Sequence, residues 1–249
     1  MPRQAREKCE SNIYHVMLRG VNRQQIFEDE EDCARFLEIL AECKQISGFA
    51  LYAYCLMGNH VHVLLKAQNE PLEQIVKRIS TRYVYWFNTK YERSGHLFQD
   101  RFRSEPVKDE RYFLTVLCYI HQNPVKAGIC ERVEQYKHSS FAEYFTGSKV
   151  IDKDFVFDLI TPNDFLQLHA QPAKADCLDI TDEIAQRRVT DEQARRIIEK
   201  HSGCHTVSDF ERLDVATRNK YLKILKQEGL SIRQISRLTG VSFGIISRV

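Results

Sequence analysis

No apolar run among the 249 residues approaches membrane-spanning length. The first residues, Met1-Pro-Arg-Gln-Ala-Arg-Glu-Lys8, also lack the apolar core of a secretory signal. Both absences predict a chain that stays in the cytoplasm and has no membrane partner. A C-x-x-C pair is missing too: Cys9, Cys33, Cys43, Cys55, Cys118, Cys130, Cys177 and Cys204 stand singly. That spacing excludes a zinc ribbon and a disulfide scaffold, and it predicts small buried residues of a reduced protein. There is little excess of one charge, since the formal net charge is only +2, so overall charge says almost nothing about partners. What remains is the composition of a soluble globular protein, 43% hydrophobic and 28% charged, with room for one domain or two.

Asn12 to Arg19 alternates as a strand, with Ile13, His15 and Met17 against Tyr14, Val16 and Leu18. Gly20-Val-Asn-Arg23 breaks it. Acids from Glu28 to Asp32 suit a helix N-terminus; Phe36, Leu37, Ile39, Leu40 and Cys43 continue at helical spacing, and Gly48 closes the helix. A second strand spans residues 49–56, and the turn Met57-Gly-Asn59 leads into a third, His60-Val-His-Val-Leu-Leu65. Pro71 opens a second helix marked by Leu72, Ile75, Val76, Ile79, Tyr83 and Phe87. Within residues 97–107 a loop gives way to a fourth strand. A third helix, about Glu110 to Gln122, follows and is expected to end before Pro124. This order predicts an α+β, ferredoxin-like βαββαβ domain with a central antiparallel sheet, in which the first and third strands are neighbours.

The predicted organisation is a catalytic domain over residues 1–150, a linker with short helices over 151–189, and a helical domain over 190–249. In the last, Thr190 caps one helix. Ser231, Gly240 and Ser242 then frame a helix-turn-helix, whose hydrophobic seam is Ile232, Ile235, Leu238, Val241, Ile245 and Ile246. Such a motif suits duplex DNA, with a helical bundle used for dimerisation as the alternative. Lys77, Arg78, Arg82, Lys90, Arg93, Arg101, Arg103, Lys108 and Arg111 are interleaved with Tyr83, Tyr85, Trp86, Phe87, Tyr91, Phe98 and Phe102. That mixture fits single-stranded nucleic acid, and it also fits a core helix whose polar face is basic.

The chemistry concentrates in two places. Alternation along the third strand puts His60 and His62 on one face, a ready pair of metal ligands, whereas Val61 and Val63 point the other way. A lone H-x-H is more often two exposed strand histidines than a metal site. On the third helix Tyr119 and Asn123, four residues apart, share a face, while His121 turns away from it. Alone, Tyr119 is a packed aromatic and Asn123 a helix cap. If their face meets the sheet, a divalent cation held by His60, His62 and an amide oxygen can align a phosphodiester for attack by the phenol. A phosphotyrosine product stores the phosphodiester energy for rejoining.

Tyr14-His-Val-Met-Leu-Arg-Gly-Val-Asn-Arg23, Met57-Gly-Asn-His-Val-His-Val-Leu-Leu65, Gly95-His-Leu-Phe-Gln-Asp-Arg-Phe-Arg103 and Tyr119-Ile-His-Gln-Asn-Pro-Val-Lys-Ala-Gly128 together resemble the REP-associated tyrosine transposases. These are relatives of the IS200/IS605-type single-tyrosine transposases in the HUH endonuclease superfamily. The similarity covers roughly residues 11–145. It implies that His60 and His62 are the paired histidines, Tyr119 the nucleophile and Asn123 the third metal ligand. The implied cofactor is Mg²⁺ or Mn²⁺. The implied reaction is nicking of single-stranded DNA near a hairpin, leaving a 5′-phosphotyrosine and a free 3′-hydroxyl. The partner would be a repetitive extragenic palindrome, in a bacterial cytoplasm at the nucleoid. Arg19, Asn22, Arg23, Arg101 and Arg103 lie in the matching motifs and are the expected DNA contacts, with solvated surface charge as the alternative. Monomer and homodimer both remain open. The final hundred residues depart from a compact member of the family. Two other readings compete: a DNA-binding regulator of palindromes that does not cleave, and an RNA-binding module.

Overall fold

The computed structural model describes residues 9–99, 101–147, 150–171, 177–178, 191–230 and 232–249. It divides into two compact units, residues 1–180 and 181–249.

In the first unit, β1 (Ile13–Arg19), α1 (Glu30–Ser47), β2 (Ala50–Met57), β3 (His60–Lys66), α2 (Leu72–Lys90) and β4 (Arg103–Pro106) follow in order, and α3 (Glu110–Lys126) comes next. The strands form one antiparallel sheet in the order β2-β3-β1-β4, the ferredoxin-like arrangement, with β1 and β3 at its centre. Local chemistry sets the boundaries. Asp29 and Asp32 cap each other's backbone at the start of α1, and Gly48 ends that helix in the left-handed region at φ 63°.

Helix α3 packs on β2 and β3, so it covers one face of the sheet. The opposite face, with Tyr14, Val16, Leu18, Val61 and Val63, is buried as well, and α1 and α2 pack against each other. Phe27, Phe36 and Tyr83 meet there at ring separations of 5.0–5.6 Å. The Tyr83 hydroxyl donates to the Ile26 carbonyl.

Helix α3 does not stop before Pro124 but runs two residues past it. A proline at that position cannot donate to the Ile120 carbonyl. The Asn123 amide supplies a substitute, donating to Tyr119 O at 3.0 Å and to Ile120 O at 3.5 Å. Beyond α3 come α4 (Glu143–Thr146), α5 (Lys153–Leu159) and α6 (Pro162–Ala170). Residues 151–170, read from the sequence as part of a linker, belong to the core of this unit. Ile151, Val156 and Phe165 are buried in it, and Phe165 stacks among Tyr144, Phe141 and His169. The aspartates and prolines of that stretch suggested a tether, yet its phenylalanines bury enough apolar surface to dock it.

The second unit contains α7 (Asp191–Ser202), α8 (Val207–Glu211), α9 (Val215–Gln227), α10 (Ile232–Thr239) and α11 (Phe243–Arg248). Ala194, Phe210, Leu222, Leu225, Ile235 and Ile246 form its own core. The turn between α10 and α11 requires Gly240. Its φ is 74°, and a Cβ there would lie 2.6 Å from Glu211 Oε1 and Val207 Cγ1. The expected caps Thr190 and Ser231 fall outside the described residues, as do residues 179–189 of the expected linker.

Candidate active site

Antiparallel register places directly paired residues on the same face of a sheet. One row therefore holds Arg19, His60 and Met57, the next Arg103, Met17, His62 and Cys55, and the third Glu105, His15, Leu64 and Ala53. All three rows face α3. Tyr119 descends from that helix onto this surface. Its ring centre lies 5.9 Å from that of His62 and 5.8 Å from that of His15. His60 and His62 are 5.0 Å apart and nearly perpendicular, at 86°.

Both members of the histidine pair are held through Nδ1. His60 donates to the Asn59 amide oxygen at 2.7 Å, since an amide oxygen can only accept. His62 Nδ1 shares a 2.9 Å hydrogen bond with His15 Nε2. His62 Nε2 and His15 Nδ1 are buried and have no hydrogen-bond partner among the described residues. Burial lowers the His15 pKa to about 3. It also lowers that of His62 well below the ordinary value, with nearby His60, His15 and Lys126 pushing the same way. Both rings are thus neutral at pH 7, the form that binds metals. The Lys126 ammonium sits 4.3 Å from the centre of the Tyr119 ring.

The expected residues are brought together unequally. His60, His62 and Tyr119 share one surface, and Asn123 lies one turn beyond Tyr119 on the same helix. Arg19 and Arg103 fall in the histidine rows. Asn22 and Arg23 are exposed in the turn after β1, both with positive φ (49° and 59°), a backbone strain of the kind that collects at functional loops. Arg101 is exposed beside β4. The basic and aromatic stretch along α2 is largely spent within the fold. Arg78 pairs with Glu70, Arg82 with Glu42, and Lys90 with Asp29, Glu31 and Asp32, while Tyr83 and Phe87 are core. Core aromatics and intramolecular ion pairs along this helix accord with the reading of a core element with a basic polar face.

Sequence reasoning missed three contributors: His15, Asn59 and Lys126. Lys126 was recoverable, being seven residues after Tyr119 and so two turns along the same face. Asn59 was recoverable as a polar neighbour within the turn. His15 was visible as a buried-face residue of β1, but the register that sets it beside His62 was not.

Two centrally placed strand histidines thus face a helix tyrosine across one surface of the sheet. Residues 8–123 match the family model described as "Transposase IS200 like". The chain is 30% identical to a protein of Haemophilus influenzae described as a REP-associated tyrosine transposase. That match covers 37% of this chain and 59% of the relative, so the chain spans somewhat less than two thirds of the relative's length. Among solved structures, it is similar to a REP-associated tyrosine transposase bound to a REP hairpin, with 17% identity and a TM-score of 0.49 over 76% of this chain and 99% of that one. It is also similar to a Deinococcus radiodurans protein described as a transposase, with 20% identity and a TM-score of 0.35 over 49% and 97%. The resemblance read from the motifs and the family match agree.

Proposed function

We propose that the first unit nicks and rejoins single-stranded DNA near a palindromic hairpin through a 5′-phosphotyrosine, as a transposase. The observation that carries this reading is the Tyr119 ring packed 5.9 Å from His62, whose Nε2 is buried with no hydrogen-bond partner among the described residues. A buried polar atom without a partner costs roughly 1–3 kcal/mol, and an absent ligand is one reason a fold carries that cost.

The residues fit a divalent cation. Both imidazoles have Nδ1 engaged and their ring centres lie 5.0 Å apart, so His60 and His62 are the residues that would hold the ion. Among the described residues no three His, Cys, Asp or Glu side chains gather as a metal cluster. The third protein ligand is assigned to the Asn123 amide oxygen, one turn from Tyr119 on the same helix, its nitrogen being committed to the helix carbonyls. Oxygen donors and water suit Mg²⁺ or Mn²⁺. When bound, such an ion supplies Lewis-acid polarisation of the scissile phosphate.

The chain's own residues then act as follows. Tyr119 Oη forms a bond to phosphorus as the P–O3′ bond breaks. The phenol gives up its proton and the departing 3′ oxygen takes one up to leave as a hydroxyl. Lys126, over the ring, stabilises negative charge developing on the phenol. Attack by a 3′-hydroxyl on the phosphotyrosine reverses the step without ATP. Arg19 and Arg103, in the histidine rows, together with Asn22, Arg23 and Arg101, supply DNA contacts. In the second unit, α10 and α11 act as a helix-turn-helix on duplex DNA. Asn22, Arg23 and Arg101 are exposed, as a phosphate contact needs.

One observation favours a second reading, a regulator that binds palindromes without cutting: Tyr119 is completely buried. The deciding experiment incubates the full chain with a labelled hairpin oligonucleotide and Mn²⁺, then resolves products on a denaturing gel. A covalent adduct that disappears in Tyr119→Phe is expected. Binding without an adduct selects the regulator, an adduct persisting in Tyr119→Phe rejects the assigned nucleophile, and preference for RNA of the same sequence selects an RNA-binding module.

A further inference from the structure

The His60 and His62 rings are held in parallel ways, and the two supports differ in what they reveal. Asn59 Oδ1 can only accept, so His60 carries its proton on Nδ1 and keeps a lone pair on Nε2. The bond between His15 Nε2 and His62 Nδ1 is symmetric in principle, because either ring nitrogen can donate. If His15 donates, His62 must carry its proton on Nε2, a buried N–H with no acceptor among the described residues. If His62 donates, its Nε2 bears a lone pair instead, and the unmatched proton sits on His15 Nδ1.

We propose that His15 is a positioning residue that accepts the Nδ1 proton of His62, as Asn59 accepts that of His60, so that both strand histidines present Nε2 lone pairs to one divalent cation. The inference rests on the metal reading given above. Three features of the site support it. His15 is fully buried at its place on β1, one row from His62, so the bond is fixed by the sheet register rather than by a mobile side chain. Its ring also packs edge-on against Tyr119, at 66°, which ties the support for His62 to the proposed nucleophile. Finally, its Nε2 is already committed to His62, so the third imidazole of the site acts through another residue. A neutral acceptor does this in a fully buried position without the cost of burying a carboxylate. Partners of this kind orient a metal-binding histidine and fix its tautomer, and their loss typically weakens metal affinity by about 10–100-fold.

The test is Mn²⁺ binding to the full chain by calorimetry, paired with ¹⁵N NMR of the histidine tautomers in the metal-free native protein. Expected are an Nδ1–H tautomer at His62, a loss of affinity of about 10–100-fold in His15→Phe with circular dichroism unchanged, and recovery to within a few fold in His15→Gln, whose amide oxygen can accept the same proton. Binding that is lost in His62→Ala but unchanged in His15→Phe overturns the positioning role and leaves the metal reading standing. A native chain that binds no Mn²⁺, or binds it equally well after His62→Ala, removes the metal reading and this inference with it. Should His15→Phe fail to fold, the native NMR still decides, because a His62 protonated on Nε2 overturns the proposal.

Discussion

Two histidine clusters lie on opposite sides of helix α3, and they differ in one respect. Behind the helix, every ring nitrogen is satisfied. The Phe165 carbonyl accepts from His169 Nδ1 at 2.7 Å, which leaves His169 Nε2 to accept from His121 Nδ1 at 2.8 Å. His121 Nε2 then accepts from the Ser140 hydroxyl at 2.8 Å, and Ser140 Oγ accepts from the Tyr54 amide at 2.9 Å. In front of it, the His15–His62 pair is just as buried, yet one nitrogen on each ring lacks a partner among the described residues. The rear cluster is thus a brace that pins α6 to α3, whereas the front cluster leaves one nitrogen on each ring unmatched, that of His62 being the one the proposed function gives to a metal. Burial and imidazole chemistry are the same on both sides. What separates structure from site is whether the hydrogen bonding closes.

The widest test of this contrast is acid. Burial holds the His169 pKa at about 4 and lowers that of His121 well below its ordinary value. A histidine with a depressed folded pKa takes up protons more readily when unfolded, so its contribution is full above about pH 6.5 and is lost as pH falls towards 4. From His169 alone the first unit should lose about 3 kcal/mol over that window, measured by urea unfolding at stepped pH. A His169→Gln variant with the same pH slope as the native chain would break the brace interpretation.

Next in size is His121→Leu. It strands the His169 Nε2 acceptor and removes the partner of the Ser140 hydroxyl, so a loss of about 2–3 kcal/mol is expected in urea unfolding at pH 7. A loss below about 1 kcal/mol would show that the rear network contributes little.

The front cluster should respond the other way. In the double variant His15→Leu/His62→Leu, two rings with unmatched nitrogens are exchanged together for apolar groups of similar size. Stability should change by less than about 1 kcal/mol, or rise, in the absence of metal. A cost comparable to that of His121→Leu would erase the distinction between the clusters. The smallest effect belongs to α2: Arg82→Gln breaks an exposed pair with Glu42 and should cost under about 0.5 kcal/mol. It should also leave the salt dependence of oligonucleotide binding unchanged, whereas a reduced slope would return this helix to the DNA interface.

Much of the fold was legible because its signals are local. Period-two alternation marked β1 and β3, helical spacing marked α1 to α3, and the turn at Gly58-Asn59 set the hairpin that centres His60 and His62. The pairing of Tyr119 with Asn123 followed from helix geometry alone. Other features depended on partners far away in the chain. Lys90 looked like a nucleic-acid cation until Asp32, 58 residues earlier, was found beside it. The stretch around Phe165 looked like a tether because its aspartates and prolines are local, whereas the aromatic cluster that receives it is not. Helix α3 outran Pro124, and the Asn123 side-chain amide reaches the Ile120 carbonyl that the proline cannot serve.

By itself the sequence determined the strands, the helices and the faces on which His60, His62 and Tyr119 stand, since these depend on neighbours within a few residues. Only the tertiary structure decided which imidazoles are braced and which are left with a nitrogen to offer. Those bonds join residues 47 and 48 positions apart, and strand register and helix docking decide whether such distant groups meet.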